Sequence, residues 1–264
     1  MRFRRRYTSG TRPRRHPWLR RALIAAGVLI SLVAIGATVL FAVTPSVSDA
    51  QARVRALAAR DGAARTGAPV PHVFAESIVA SEDSRFYSEP GIDPVGLARA
   101  AWATVTGSGL DAGGSTLSQQ LAKQLYTDGH GGAIADLEQV ALAVKLNMQF
   151  SKAQILQMYA STVYFGSGFY GLFDASCGYF GVPPDGMSLA QASLLAGLVQ
   201  APSAYDPMTH LALAKSRQKY VLARLVETRQ ITQAKAQALA TAPLRLGRKP
   251  SATCRSTAGT RSRL

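Results

Sequence analysis

Residues 111–125 read DAGGSTLSQQLAKQL, and the passage from glycine into helix decides which fold to expect. Leu117, Leu121 and Leu125 recur every four residues, the spacing of one apolar helix face. Thr116, Gln120 and Lys123 fall at i, i+4 and i+7 on a second face. Thr116-x-x-Gln119 is a capping box, in which two side chains satisfy orphan backbone N–H groups at a helix start. A helix that begins behind glycines, here Gly113 and Gly114 with Ser115 following, offers free N–H groups and the positive end of its dipole to an anion. Lys123, two turns in, adds a point charge suited to phosphate. An ordinary capped helix with glutamines on its wet face has the same letters, so the stretch needs support from elsewhere.

Thirty residues upstream lies SEDSRFYSEPGID, residues 81–93. Phe74, Ile78 and Glu82 line one face of the preceding helical run, so Glu82 sits where an apolar face meets the outside. Partial burial there raises a carboxyl pKa toward the range useful for acid–base chemistry. A solvated helix end carrying Glu82 and Asp83, with Arg85 pairing to either, is the plainer alternative. Downstream, VYFGSGFYGLFDASCGYFG (163–181) interleaves aromatics with glycine. Such stretches form loops that bring rings and backbone close to a flat ligand such as a sugar, or simply compact connections.

Between and beyond these segments the pattern is helical. Ser151-x-x-Gln154 and Ser188-x-x-Gln191 are further capping boxes. A long helix is predicted after Asp206-Pro207 and a short one over ITQAKAQALA. No run alternates as strands do. The fold class expected is mainly α, with the folded domain at 67–247, residues 44–66 as a linker or short stalk helix, and 248–264 as a disordered basic tail. Cys177 and Cys254 lack metal-ligand spacing; Cys177 is expected as a small buried residue with no disulfide. The four His are scattered and offer no ligand cluster.

The net charge of +15 belongs to the ends. Nine Arg fall in residues 1–21 and six Lys or Arg after residue 244, while all fifteen acids lie between, matched there by fifteen bases. A nucleic-acid-binding domain carries its basicity on the folded part, so no nucleic-acid partner is expected. Residues 22–43 carry no charge; as a helix they reach roughly 33 Å, enough for a bilayer core. The nine Arg before this run predict a cytoplasmic arm at 1–21, one transmembrane helix at 22–43 and a domain outside the cytoplasm. A cleaved signal peptide is the rival, although its apolar region is usually only about 7–15 residues.

Taken together these segments resemble glycosyltransferase family 51, the peptidoglycan transglycosylases that polymerise lipid II. The family's first motif, Glu-Asp-x-x-Phe-x-x-His-x-Gly, is matched by Glu82, Asp83, Phe86 and Gly91. Its second, Gly-x-Ser-Thr-x-x-Gln-Gln with a following Lys, is matched by Gly113, Ser115, Thr116, Gln119, Gln120 and Lys123. The stretch from Ile155 through Tyr164 and Gly166, and LLAGLVQAP, follow its later motifs, so the likeness runs from about Pro71 to Ile231. It implies a lysozyme-like helical transglycosylase domain behind the membrane helix. It also implies an inverting glycosyl transfer, from a lipid-linked glycan chain to lipid II, with Glu82 as base. The diphosphate would be held by Lys123 and the Ser115–Thr116 helix start, and Asp83, Phe86, Gly114, Gln119, Gln120, Tyr164 and Gly166 would line the substrate. A divalent cation such as Mg often assists in this family, and Asp83 could help place it, although the spacing proves no metal site. Other cell-wall synthases are candidate partners. Too little chain follows Ile231 for a transpeptidase, so a monofunctional enzyme is expected.

The departures are local. Glu89 replaces the first motif's His, and the third motif, Arg-Lys-x-x-Glu, falls on Ala135, Asp136 and Gln139. Glu138, next to the missing carboxylate, is the candidate second catalytic acid. Val182 stands where a basic residue usually follows Tyr-Phe-Gly, and neither Ser161 nor Thr162 supplies the family's amide. These losses keep two alternatives open: a lipid II-binding scaffold without turnover, and a lysozyme-like enzyme that cuts glycan with Glu82 as acid.

Overall fold

The structure, a computed structural model, describes residues 17–96, 106, 115–130, 132–247 and 249–258. It divides into two units, Met1–Val43 and Thr44–Leu264. Among the described residues the first contains α1 (Pro17–Val43), whose segment Arg20–Val43 is long and apolar enough to cross a membrane and carries an exposed apolar window. Its hydroxyls are satisfied internally, Ser31 Oγ donating to Gly27 O and Thr38 Oγ1 to Ala34 O, which suits an apolar solvent.

The second unit is helical: α2 (Ala50–Arg60), α3 (His72–Glu82), α4 (Leu117–Tyr126), α5 (Ala133–Gln149), α6 (Lys152–Thr162), α7 (Leu172–Phe180), a 3₁₀ turn (Pro184–Gly186), α8 (Leu189–Leu198), α9 (Leu211–Glu227), α10 (Gln233–Thr241) and α11 (Ala252–Ala258). Among the described residues the only extended pairing is an antiparallel bridge between Tyr164 and Tyr170. The mainly α class expected is the one found. All three capping boxes close as read: Thr116 with Gln119, Ser151 with Gln154, and Ser188 with Gln191.

Two layers of packing position the site. In one, α3 lies against α8 and α9; Phe74 and Ile78 of α3 are fully buried, each worth roughly 1.5–3 kcal/mol of hydrophobic stabilisation. Gln218 of α9 reaches into this layer and donates to Ala190 O of α8 at 2.7 Å. In the other, α4 packs on α5 and α6 through the leucine line, with Leu117 and Leu121 fully buried and Leu125 nearly so. The chain between the layers turns at Gly91, whose φ of +100° suits glycine and where a Cβ would lie 2.5 Å from Ala143 O of α5.

Three expectations are corrected here. Residues 44–66 are not a linker: Val47, Ala50 and Val54 join the same core as Phe74 and Leu121, and α2 packs on α6 and α4. Ala64 N donates to Asp174 and Gly67 N to Ser161, pinning the chain that follows α2. The described part of the tail, 249–258, is not structureless, since it forms α11 and is held by a Cys177–Cys254 disulfide. The disulfide itself overturns the expected pair of separate thiols; a sequence separation of 77 hides a Cα–Cα distance of 5.6 Å. Two basic side chains tie helices to neighbouring backbone, Lys145 donating to Thr44 O and Arg224 to Ala80 O.

Candidate active site

Glu82 is the last residue of α3, and its side chain is only 12% exposed. The helix period that buries Phe74 and Ile78 carries Glu82 inward at the point where the helix ends. Its carboxylate accepts a hydrogen bond from Gln120 Nε2 at 3.2 Å and faces Arg217 Nη2 at 3.5 Å. Gln120 in turn accepts from the buried Tyr159 hydroxyl at 2.8 Å. Burial pushes the Glu82 pKa up, while Gln120 and Arg217 hold it back and the neighbouring Asp83 charge adds a further push. The result is a carboxylate whose basicity exceeds that of a solvated Glu, fixed in direction by two partners. The plainer reading of a solvated helix end does not hold.

Asp83 points elsewhere. It is buried and accepts the backbone N–H of Leu117 at 3.0 Å, while Thr116 Oγ1 accepts Gln119 N at 3.1 Å and donates to Gly91 O at 2.8 Å. Two of the N–H groups at the start of α4 are thus capped from inside the protein. An internal carboxylate occupies the dipole end that was assigned to an anion, for the same electrostatic reason that would attract a phosphate. What remains outward is Ser115, which is exposed, and Lys123, half-buried one helix face away. Gln119 closes the capping box by accepting Thr116 N. Asp83 does not fit a cation role, because its carboxylate is buried and already engaged. Among the described residues no three metal-ligating side chains cluster.

Other expected contacts belong to the framework. Phe86 is fully buried, with Lys152 Nζ 4.5 Å from its ring centre, so it packs rather than lines a substrate. Gly166, at φ +89°, approaches Pro202 so closely that a Cβ would lie 2.7 Å from its carbonyl oxygen; its role too is conformational. Tyr164 stacks on Tyr170 at 4.6 Å and its hydroxyl accepts Gly168 N, leaving a half-buried ring at the loop. Gly114 lies outside the described residues. Gln139, in the place of the third motif's carboxylate, is buried and donates to His130 O at 3.0 Å and Thr127 Oγ1 at 3.3 Å. It braces the connection between α4 and α5. Glu138 is half-buried beside it, and no hydrogen bond or ion pair joins it to the Glu82 network among the described residues.

Three residues that sequence reasoning passed over stand close to these groups. Arg217 of α9 stacks on Tyr220 at 4.1 Å and faces Glu82; nothing local in its helix marks it, since its partner is 135 positions away. Tyr159 is one aromatic among many in its stretch. Lys152 reads as an ordinary first-turn residue, yet its buried amine has no hydrogen-bond partner.

Glu89, in the place of the first motif's His, is not exposed. It is 7% exposed and neither carboxyl oxygen reaches a hydrogen-bond donor. Burial first, and the Asp83 carboxylate second, push its pKa up to about 8. The unfolded chain releases this proton near 4.5, so from there to about 8 the folded state holds a proton the unfolded state has lost. Stability therefore falls as pH rises through that window. Glu89→Gln should flatten the slope and stabilise the protein at pH 8. Urea unfolding at several pH values measures both, and a slope unaltered by the substitution would contradict the assignment.

A family model described as Transglycosylase matches residues 51–226. Penicillin-binding protein 1A of Neisseria gonorrhoeae is 39% identical over 170 residues, covering 64% of this chain and 21% of that protein. Its counterpart in Vibrio cholerae is 32% identical over 175 residues, covering 66% and 21%. The chain thus spans about a fifth of the length of these relatives. A crystal structure of penicillin-binding protein 1A from Haemophilus influenzae is similar at 28% identity, with a TM-score of 0.35 over 37% of this chain and 14% of that one, too loose a superposition to bear on the site. The matched span begins inside α2 and ends in α9, taking in Glu82, Gln120 and Arg217, and on that ground the chain belongs to the transglycosylase family.

Proposed function

We propose that the folded unit is a peptidoglycan glycosyltransferase that lengthens glycan strands from lipid II by inverting transfer. The observation that carries this reading is the bond between Glu82 and Gln120, which brings the end of α3 against the helix that follows Ser115 and Thr116 and bears Lys123. Glu82 takes the proton from the acceptor sugar's hydroxyl as that oxygen bonds to the donor's anomeric carbon. The bond from that carbon to the diphosphate breaks, and the electron pair leaves with the phosphate oxygen. Arg217 keeps Glu82 anionic before the step, against the burial that favours its protonated form. Lys123 and Ser115 face the departing charge, where stabilisation is greatest in the transition state.

α1 would keep this unit at the membrane surface, with its N-terminus in the cytoplasm and the unit outside. Both substrates are lipid-linked, so they reach the site in the same plane. The test is incubation of the purified chain in detergent with lipid II and, separately, with finished glycan. Longer strands from lipid II support the reading; shortened glycan would overturn it. Lys123→Ala should lower turnover about 10- to 100-fold, the value of one charge-assisted contact of roughly 1.5–3 kcal/mol. An unchanged rate would remove Lys123 from the leaving-group side.

Gln139 favours a second reading, a lipid II-binding member without turnover. Its amide is spent on His130 O and Thr127, and position 139 therefore offers neither an anion nor a proton to the reaction. Lipid II retained on the protein with no strand formed, with or without Glu82, would establish that reading instead.

A further inference from the structure

Outside the Glu82 cluster, the C-terminal segment and α7 form a second organised region. Leu244 is buried and its carbonyl accepts Gln191 Nε2 of α8 at 3.0 Å. Gly247 N donates to Tyr179 O at 2.9 Å, and Ser251 N to Gly181 O at 2.8 Å. Cys254 is buried and bonded to Cys177 of α7. From α7 the contacts continue into the aromatic loop 163–171. The Tyr179 hydroxyl donates to Phe165 O at 2.9 Å, and its ring meets Phe169 edge-on at 4.9 Å. One covalent bond thus closes a chain of contacts from the tail, through α7, to that loop.

We propose that Cys177 and Cys254 are a modification site, oxidised outside the cytoplasm by a thiol-oxidising protein, and that their bond clamps segment 243–255 onto α7 and steadies loop 163–171. Structural disulfides form and persist in oxidising compartments and are rare in the cytosol, so the bond fits a unit held beyond the membrane by α1. The exchange balances without any other reagent. The Cys254 thiolate attacks the partner's disulfide, giving a mixed disulfide and one partner thiolate. The Cys177 thiolate then attacks the Cys254 sulfur and releases the second. The two thiols lose two protons and two electrons, and the partner's disulfide becomes a dithiol. Cys254 is assigned the first attack because it lies on the C-terminal segment, whereas Cys177 is set within α7, between other helices of the fold.

The experiment uses the full chain in the membranes of a bacterial host, with thiols trapped by N-ethylmaleimide before lysis. We expect no maleimide on the chain until a reductant is added, and two thereafter; two adducts without reductant would overturn the bond. In a host lacking its extracytoplasmic thiol-oxidising protein, two adducts should appear at once, and undiminished oxidation there would overturn the partner. Reduction of the detergent-purified chain should lower its melting temperature, followed by circular dichroism, by on the order of 10 °C, as expected for cross-linking so long a loop in a domain of this size. Hydrogen exchange separates a clamp from a mere staple. On reduction, the amides of Phe165, Phe169 and Gly171, each hydrogen-bonded within the loop, should exchange at least about tenfold faster. Cys177→Ala should reproduce that change with no reductant present. Unaltered exchange in both would overturn the role assigned to the loop.

Discussion

Replacing Glu82 with Gln is expected to lower lipid II polymerisation by about 10³-fold, within the range seen when a positioned general base is lost. The amide has the same shape and can still accept from Gln120, so the packing of α3 on α4 should survive. What disappears is the capacity to take a proton. A base acts in the transition state, so the loss should fall on kcat and leave KM within a few-fold. The pH profile gives an independent check. Burial raises the Glu82 pKa, and the acid limb of kcat should therefore lie above the ordinary carboxylate range, activity fading as pH drops and Glu82 gains its proton. In the variant that limb should vanish from whatever rate remains. A variant retaining a tenth of the wild-type rate at neutral pH would show that another group takes the proton.

The second large effect is on stability. Phe86→Ala should destabilise the protein by about 3–5 kcal/mol, the usual cost of emptying a buried aromatic site. Phe86 is fully buried, and its ring faces the Lys152 amine, which has no hydrogen-bond partner and otherwise feels the charges of Asp83 and Glu89. Removing the ring opens a cavity and strips a charge of its cation–π contact in one step. Urea unfolding measures the loss, and KM for lipid II in the surviving folded fraction should stay within a few-fold. A raised KM with normal stability would return Phe86 to the substrate.

These two outcomes follow the line between what the sequence discloses and what it conceals. Leu117, Leu121 and Leu125, the three capping boxes and the apolar line ending at Glu82 are local patterns, and each appears in the structure as local geometry. The Gln120 bond to Glu82 joins two motifs that were legible separately. The bond Asp83 makes is not legible in the sequence, because its partner is a backbone N–H 34 residues on, and no pattern of side chains reports a backbone donor. Arg217 was missed for a similar reason, its surroundings being supplied by α3. The cysteine pair escaped because loop closure over 77 residues depends on where α7 and the tail come together, which spacing does not encode. Residues 44–66 looked like linker because small, Ala-rich helices bury little surface each; Ala50 and Val54 count only once α6 and α4 are beside them.

The paired acids at the end of α3 have one further consequence. Glu82 binds the second turn of α4, through Gln120, while Asp83 binds its first residue, Leu117. Two adjacent anchor points on one helix gripping two levels of another act as a hinge pin at both ends: neither sliding nor rolling is open without breaking a bond. On the proposed mechanism these two bonds would set the span between Glu82 and Lys123, and a sugar diphosphate would be brought to fit it.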